Sequence, residues 1–452
     1  MSGTGGSGGG TGSGGQPAEG GSNGSGGVTG RGGEQATGGV SGVSGSGSGG
    51  STATGGTGGS SGGAAAGTQG TGAAGTNGTS NGSGGAAGGT GSGNNVVPVI
   101  VDSGPDNIGT QDVPFISVTV CLPGTDTCAT IDHVSVDTGS TGLRLIASAL
   151  PHGFALPQQM TGGKPEAECF TFADGFVWGS VRLADLKIGG ESASNMQLQL
   201  IGDPAYPTAP SDCRATGSAE NTVATFGANG IIGINQWVHD CGTYCSTAKT
   251  AGYYSCSGST CTGVAMPIAN QLANPITLFG DDNNGAVLTF PAVPAAGAAT
   301  LSGTLTFGVG TQADNALGRA QTLTVDAEGT LTTVFNGTTM ASSFIDSGTS
   351  LLSFNDKSLA QCKGAASGFY CPASTTAETA TITGRNNTSI TINFNVANAD
   401  KLVTSGFAAF DNLAATGGNN SFDWGFPFFI GHKVFIGFAL PSSPAQNGYV
   451  AY

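Results

Sequence analysis

Of 452 residues, 28 are Asp or Glu and 13 are Lys or Arg, giving a net charge of −15 and a pI near 4.4. So few cations cannot form the basic stripe that a nucleic-acid binder needs, and no apolar run is long enough for a spanning helix. The four His are widely spaced, so little remains for a His-based metal site, and no cofactor is expected.

The chain opens on low complexity. About half of the 83 Gly lie before Asn94, in a stretch without aromatics whose only charges are Glu19, Arg31 and Glu34. Such a stretch buries too little apolar surface to offset the entropy of ordering it, so residues 1–95 are read as a disordered tether. Met1-Ser-Gly-Thr-Gly-Gly has neither a charged start nor an apolar core, so for an exported chain the leader is expected to begin at an upstream start codon, or else to have been removed. The Gly-x-Gly-x-x-Gly matches in this stretch follow from its composition and carry no nucleotide-binding meaning.

From Val96 onward, short runs of Val, Thr, Ile and Phe alternate with Gly, Pro, Asn and Asp. The period-2 spacing predicts strands in Phe115–Val120, His133–Val136, Gly179–Leu183, Asn195–Ile201, Ala286–Phe290, Thr304–Phe307, Ser389–Phe394 and Lys433–Phe438. Short helices are expected only at Ile146–Leu150 and Asn355–Cys362. The class is all-β. The Asp281-Asp-Asn-Asn-Gly run lacks the spacing of a calcium loop and is read as a turn.

Eight of the ten Cys form close pairs along the chain, Cys121 with Cys128, Cys241 with Cys245, Cys256 with Cys261, and Cys362 with Cys371, leaving Cys169 and Cys213 as a possible fifth pair. Loop-closing disulfides in an oxidising compartment fit this spacing better than zinc, because none of the pairs has the two-residue knuckle of a structural zinc site. The protein is therefore expected to be secreted or tethered at the cell surface.

One internal echo carries the chemistry. Val134-Ser-Val-Asp-Thr-Gly-Ser-Thr-Gly-Leu and Ser343-Phe-Ile-Asp-Ser-Gly-Thr-Ser-Leu-Leu share an apolar strand, then Asp-(Thr/Ser)-Gly-(Ser/Thr), then Leu. A linker rich in Pro, Ala and Gly falls between them, so two lobes, 96–295 and 296–452, are expected to donate one carboxylate each. If Asp137 and Asp346 meet, like-charge repulsion prevents both from ionising, and the pair shares a proton while holding a water. Ser140 and Thr349 are placed to bond the outer carboxylate oxygens, and Thr138 and Ser347 to reach across to the other lobe.

Asp137-Thr138-Gly139-Ser140 and Asp346-Ser347-Gly348-Thr349 resemble the two catalytic loops of the pepsin-like aspartic peptidases. The run Asp-Thr-Gly-Ser-Thr-Gly-Leu-Arg is also similar to that of a group of bacterial exported proteins related to pepsins. The likeness covers roughly Val96 to Tyr452. Phe170–Gly179 looks like the flap hairpin, with Asp174-Gly175 at its turn. Asn229-Gly-Ile-Ile-Gly233 looks like the segment supporting the first loop, and Asp423-Trp-Gly425 (or Phe429-Ile-Gly431) like its second-lobe counterpart.

The resemblance implies a bilobal fold of two β-barrel-like lobes around a cleft. It also implies a monomeric endopeptidase acting on extended peptide or protein substrates. Where the family has Tyr in the flap and Trp after the first loop, this chain has Phe172 and Arg144. Their hydrogen bond is replaced in expectation by a guanidinium over a ring, worth about 0.5–2 kcal/mol. The alternative is a pepsin-fold protein without activity that binds extended peptides at the cell surface.

Overall fold

The computed structural model describes residues 95–452 apart from Ala365. The expected tether therefore lies outside the described residues, Asn95 excepted. All eight predicted strands are present, and among the described residues helices are short turns of the chain, none exceeding the six residues of Gly242–Thr247. No helix among them is long and apolar enough to cross a membrane.

The strands form two sheets, one of 17 strands and one of seven. The smaller is built from the segment 331–424 alone. It opens on a hairpin in which Asn336 and Gly337, at φ 48° and 76°, supply the left-handed pair that a two-residue turn requires. The larger sheet is not confined to the first half of the chain. Val96–Val101 pairs with Leu301–Phe307, and the returning strands Lys433–Gly437 and Tyr449–Ala451 pair with Gly285–Thr289 and Thr322–Thr324. The boundary expected at 295/296 thus falls between Gly285–Thr289 and Leu301–Phe307, which pair with one another.

Strand faces alternate as the sequence pattern demands: in Leu331–Phe335 the odd positions are inside and the even ones face outward. A continuous core runs under both sheets. Its second-lobe end is aromatic, with Phe422 stacked between Phe354 and Trp424 at centroid distances of 4.6 and 3.9 Å. Burying each such ring contributes roughly 2–3 kcal/mol. Trp424 satisfies its indole N–H on Thr333 Oγ1 at 3.1 Å.

All five expected cysteine pairs are disulfides, and no free Cys remains among the described residues. One of them explains a difference from the predicted elements. Ala147–Ala149 forms the expected short helical turn, but Asn355–Cys362 does not become a helix. Asp356 caps Ser358 N–H at 2.8 Å in a local turn, and Cys362, linked to Cys371, donates its N–H to Phe369 O at 2.9 Å. The disulfide and the Gln361–Tyr370 bridge hold the end of the segment against 369–371, where a helix cannot continue. In the Asp281–Gly285 loop, the carboxylate of Asp282 accepts from Thr311 and Gln312, so protein donors satisfy it and the loop is a turn.

Candidate active site

Two strands deliver the carboxylates. Cys128–Asp137 ends in the first loop, and Thr338–Ile345 runs directly into Asp346. Each is flanked by a parallel supporting strand: Gly230–Ile234 aligns Gly233 with Asp137, and Asp423–Trp424 aligns Trp424 with Ile345. Of the two expected second-lobe supports, Asp423-Trp424-Gly425 occupies the position.

Glycine at the ends of these supports follows from close approach. A Cβ on Gly233 would lie 2.6 Å from Ser140, and one on Gly425 would lie 2.5 Å from the Thr349 carbonyl oxygen. Any side chain there would push the loop tip out of place.

The two loops interlock reciprocally. Thr138 N–H donates to Ser347 Oγ at 3.1 Å, while Ser347 N–H donates to Thr138 Oγ1 at 2.9 Å. Each hydroxyl then donates across to the other strand, Thr138 to Ile345 O at 3.3 Å and Ser347 to Val136 O at 2.7 Å. Thr138 and Ser347 are both buried, so these four groups find their partners in the opposite half of the site.

This grip brings the acids together. A Cβ on Gly139 would lie 2.6 Å from the Asp346 carboxyl carbon, and one on Gly348 would lie 2.5 Å from Asp137 Oδ1. Within each loop the glycine N–H donates to its own acid, Gly139 to Asp137 at 2.6 Å and Gly348 to Asp346 at 2.8 Å. Burial first, and then the negative charges of Asp137 and Asp423, hold the Asp346 carboxyl well above the usual carboxylate range.

The outer hydroxyls differ. Thr349 Oγ1 donates to Asp346 Oδ2 at 3.1 Å as expected. Ser140 Oγ, expected to do the same for Asp137, is buried without a hydrogen-bond partner.

The segment expected as a flap forms a hairpin, in which Lys164–Thr171 pairs with Gly175–Ile188. Phe172 N–H donates to Gly175 O at 2.8 Å, so Ala173 and Asp174 form the tip, one residue earlier than the expected Asp174-Gly175 turn. Gly175 does not adopt the positive φ of a turn glycine. It is needed because a Cβ would meet Ser218 O at 2.6 Å and Glu220 Oε1 at 2.7 Å.

That contact belongs to a strap. Ser218–Ala219 pairs in parallel with Gly175–Phe176, Glu220 N–H donates to Phe176 O at 2.9 Å, and Asn221 accepts from Trp178 N–H at 2.8 Å. The Cys169–Cys213 disulfide fastens the strap to the hairpin.

Arg144 is not where a substrate-binding residue would stand. It is fully buried, with Nη2 on Glu168 Oε1 at 2.7 Å and Asp240 Oδ2 at 3.0 Å, and Nη1 on Thr141 O at 2.7 Å. Its guanidinium lies 3.7 Å over the ring of Phe170, not that of Phe172, which packs against Phe170 and Phe226. Phe172 shares the strand face of Phe170 but lies two residues further along, past the end of Lys164–Thr171. Arg144 therefore ties the flap root to the strand after the first loop.

Glu168, Asp240 and Tyr253, whose hydroxyl donates to Asp240 at 2.8 Å, complete this network. Sequence reading missed these residues, because their partners come from three distant segments. It also missed the acid of Asp423, whose only signal was a charge at the head of an otherwise apolar supporting segment.

A family model matches residues 91–452, a span that contains the whole described fold. A search of curated proteins finds no match to the chain. The chain belongs to the DUF3443 family, described as proteins of unknown function.

Proposed function

We propose that the protein is an aspartic endopeptidase of pepsin-like type that hydrolyses peptide bonds with a water held between Asp137 and Asp346. The observation that carries this reading is the reciprocal grip, which sets each loop glycine against the opposite acid. In the reaction, the ionised carboxylate takes a proton from the water as its oxygen attacks the peptide carbonyl carbon. The protonated partner gives its proton to the carbonyl oxygen. Collapse of the tetrahedral intermediate returns a proton to the leaving nitrogen and releases a carboxylic acid and an amine. No covalent enzyme intermediate and no metal is called for. An extended peptide bound beneath the flap is the substrate, and a single chain supplies the whole site.

The five disulfides support action in an oxidising compartment, outside the cell or at its surface. The test is incubation of the full chain with a denatured protein from acidic to neutral pH, with and without a statine-type transition-state mimic. New peptide termini that the mimic suppresses support hydrolysis. Retention of the denatured protein without new termini establishes the binding-only alternative instead.

A further inference from the structure

Away from the two loops, a further pair of acids meets on a single cation. Arg144 stands on Thr141–Ile146, the strand after the first loop, and Glu168 on Lys164–Thr171, the first strand of the hairpin. Asp240 comes from the loop that follows Gly230–Ile234, and all three side chains are buried. One guanidinium nitrogen serves both acids: Nη2 donates to Glu168 Oε1 at 2.7 Å and to Asp240 Oδ2 at 3.0 Å. The other nitrogen, Nη1, donates to Thr141 O at 2.7 Å, next in the chain to Ser140 of the first loop.

The charges in this cluster do not balance. Neither acid has an ion pair with any other cation among the described residues. Glu166, next on the same strand face, is another buried acid, bonded by Thr161 at 2.6 Å. On Gly175–Ile188, Arg182 is committed to Asp203 at 2.6 Å, while Asp185 and Lys187 lie opposite Cys121 and Thr119. Glu191 stands at the far end of Glu191–Ile201, and Lys164 and Lys249 are exposed. Burial holds His239, beside Asp240 in the chain, below its ordinary value. The Tyr253 hydroxyl donates to Asp240 at 2.8 Å and accepts Leu272 N–H at 2.8 Å, so its one proton is already used. Glu168 Oε2 is left buried without a partner.

With both acids ionised, two buried negative charges would face one positive charge. An uncompensated charge in such a place is expensive, and the cheapest relief is for one acid to keep its proton. Burial, and then the charge of Glu168, hold the Asp240 carboxyl well above the usual carboxylate range. The proton belongs to the pair, because two acids on one nitrogen titrate together.

We propose that Glu168 and Asp240 are positioning residues that hold one proton between them on Arg144, and that this proton keeps the root of the hairpin bound to the strand after the first loop. Its loss to solvent sets the two carboxylates against each other and frees the hairpin. The closed cluster binds the proton more tightly than the open one, so the clamp is complete at acidic pH and weakens as pH rises. The effect on peptide cleavage rests on the endopeptidase reading above, but the release of the hairpin does not.

The experiment follows amide exchange in Lys164–Thr171 of the full chain by mass spectrometry, from acidic to weakly alkaline pH and corrected for the intrinsic exchange rate. Every chain carries Glu166→Gln, which silences the neighbouring acid on that strand. This reference is compared with chains that add Asp240→Asn or Glu168→Gln, each of which keeps the side-chain shape and leaves one acid to one guanidinium. In the reference, protection is expected to fall by about tenfold per pH unit between the ordinary carboxylate range and the raised value of the pair, since each opening releases one proton. In both variants that decline is expected to disappear, with the hairpin still protected at the alkaline end. In cleavage of a denatured protein, KM is expected to rise with pH in the reference alone, while kcat follows one profile in all three chains.

Protection that does not change with pH in the reference, or the same decline in both variants, overturns the clamp. If the reference cleaves nothing, the endopeptidase reading fails by itself, and exchange still decides the clamp.

Discussion

Replacing Thr138 by Val keeps the shape of the side chain and removes the hydroxyl on which the loop interlock depends. Two hydrogen bonds go with it, the acceptor for Ser347 N–H at 2.9 Å and the donor to Ile345 O at 3.3 Å. The longer bond contributes little, so the cost is dominated by stranding a buried N–H, about 1–3 kcal/mol. Ser347→Ala strands Thr138 N–H and the Val136 carbonyl in the same way, through contacts of 3.1 and 2.7 Å. Each variant is expected to lose about 2–3 kcal/mol. The double variant should lose less than the sum, because loops that have already separated have less left to break. Thr138→Ser, which keeps the hydroxyl, should cost less than about 1 kcal/mol. Urea unfolding of the full chain reads these values as a lowered midpoint at unchanged slope. A Thr138→Val chain within about 0.5 kcal/mol of wild type refutes the interlock.

Other substitutions probe the surroundings. Gly139→Ala drives a methyl to within 2.6 Å of the Asp346 carboxyl, and it should abolish peptide cleavage while circular dichroism still reports a β fold. Removing the disulfide between Cys169 and Cys213 frees a loop of sequence separation 44, which costs about 4 kcal/mol by loop-closure entropy; thermal melting of the double Ser variant checks this. Arg144→Met leaves Glu168 and Asp240 buried without their cation and should cost about 3–5 kcal/mol in the same assay.

Stability should also fall with pH. Burial raises Glu166 from 4.5, and Asp423 from 3.8, each to about 8, so the folded chain binds more protons than the unfolded one. The stability contributed by these groups is complete below their unfolded values and is lost as pH rises through about 8. Glu166→Gln should flatten that decline in melts taken across the same range.

Local chemistry was readable where it is local. Phe115–Val120 and Ser389–Phe394 announce themselves by alternation, and the two Asp-(Thr/Ser)-Gly loops by repetition, because each is specified within ten residues. Cysteine pairs close in sequence were legible for the same reason. What escaped depends on distant partners. Lys433–Gly437 returns to pair with Gly285–Thr289, and nothing in either segment signals the other. Arg144 was legible as an unusual charge after the first loop, but not its engagement by Glu168 and Asp240, which arrive from the flap and from a separate loop. Gly175 was read as a turn glycine, whereas the close approach of Ser218 and Glu220 is what excludes a side chain there. At Asn355–Cys362 a good local start signal lost to a covalent constraint, the disulfide to Cys371.

The central claim is that Asp137 and Asp346 act as one proton-sharing pair on a peptide bond. Its most direct test is kcat/KM for cleavage of a denatured protein by wild type, Asp137→Asn and Asp346→Asn, with each variant shown to be folded by its unfolding midpoint. Both single substitutions are expected to lower the rate by a factor of about a thousand or more, since either loss removes the acid–base couple. Cleavage at wild-type rate by either folded variant contradicts the account.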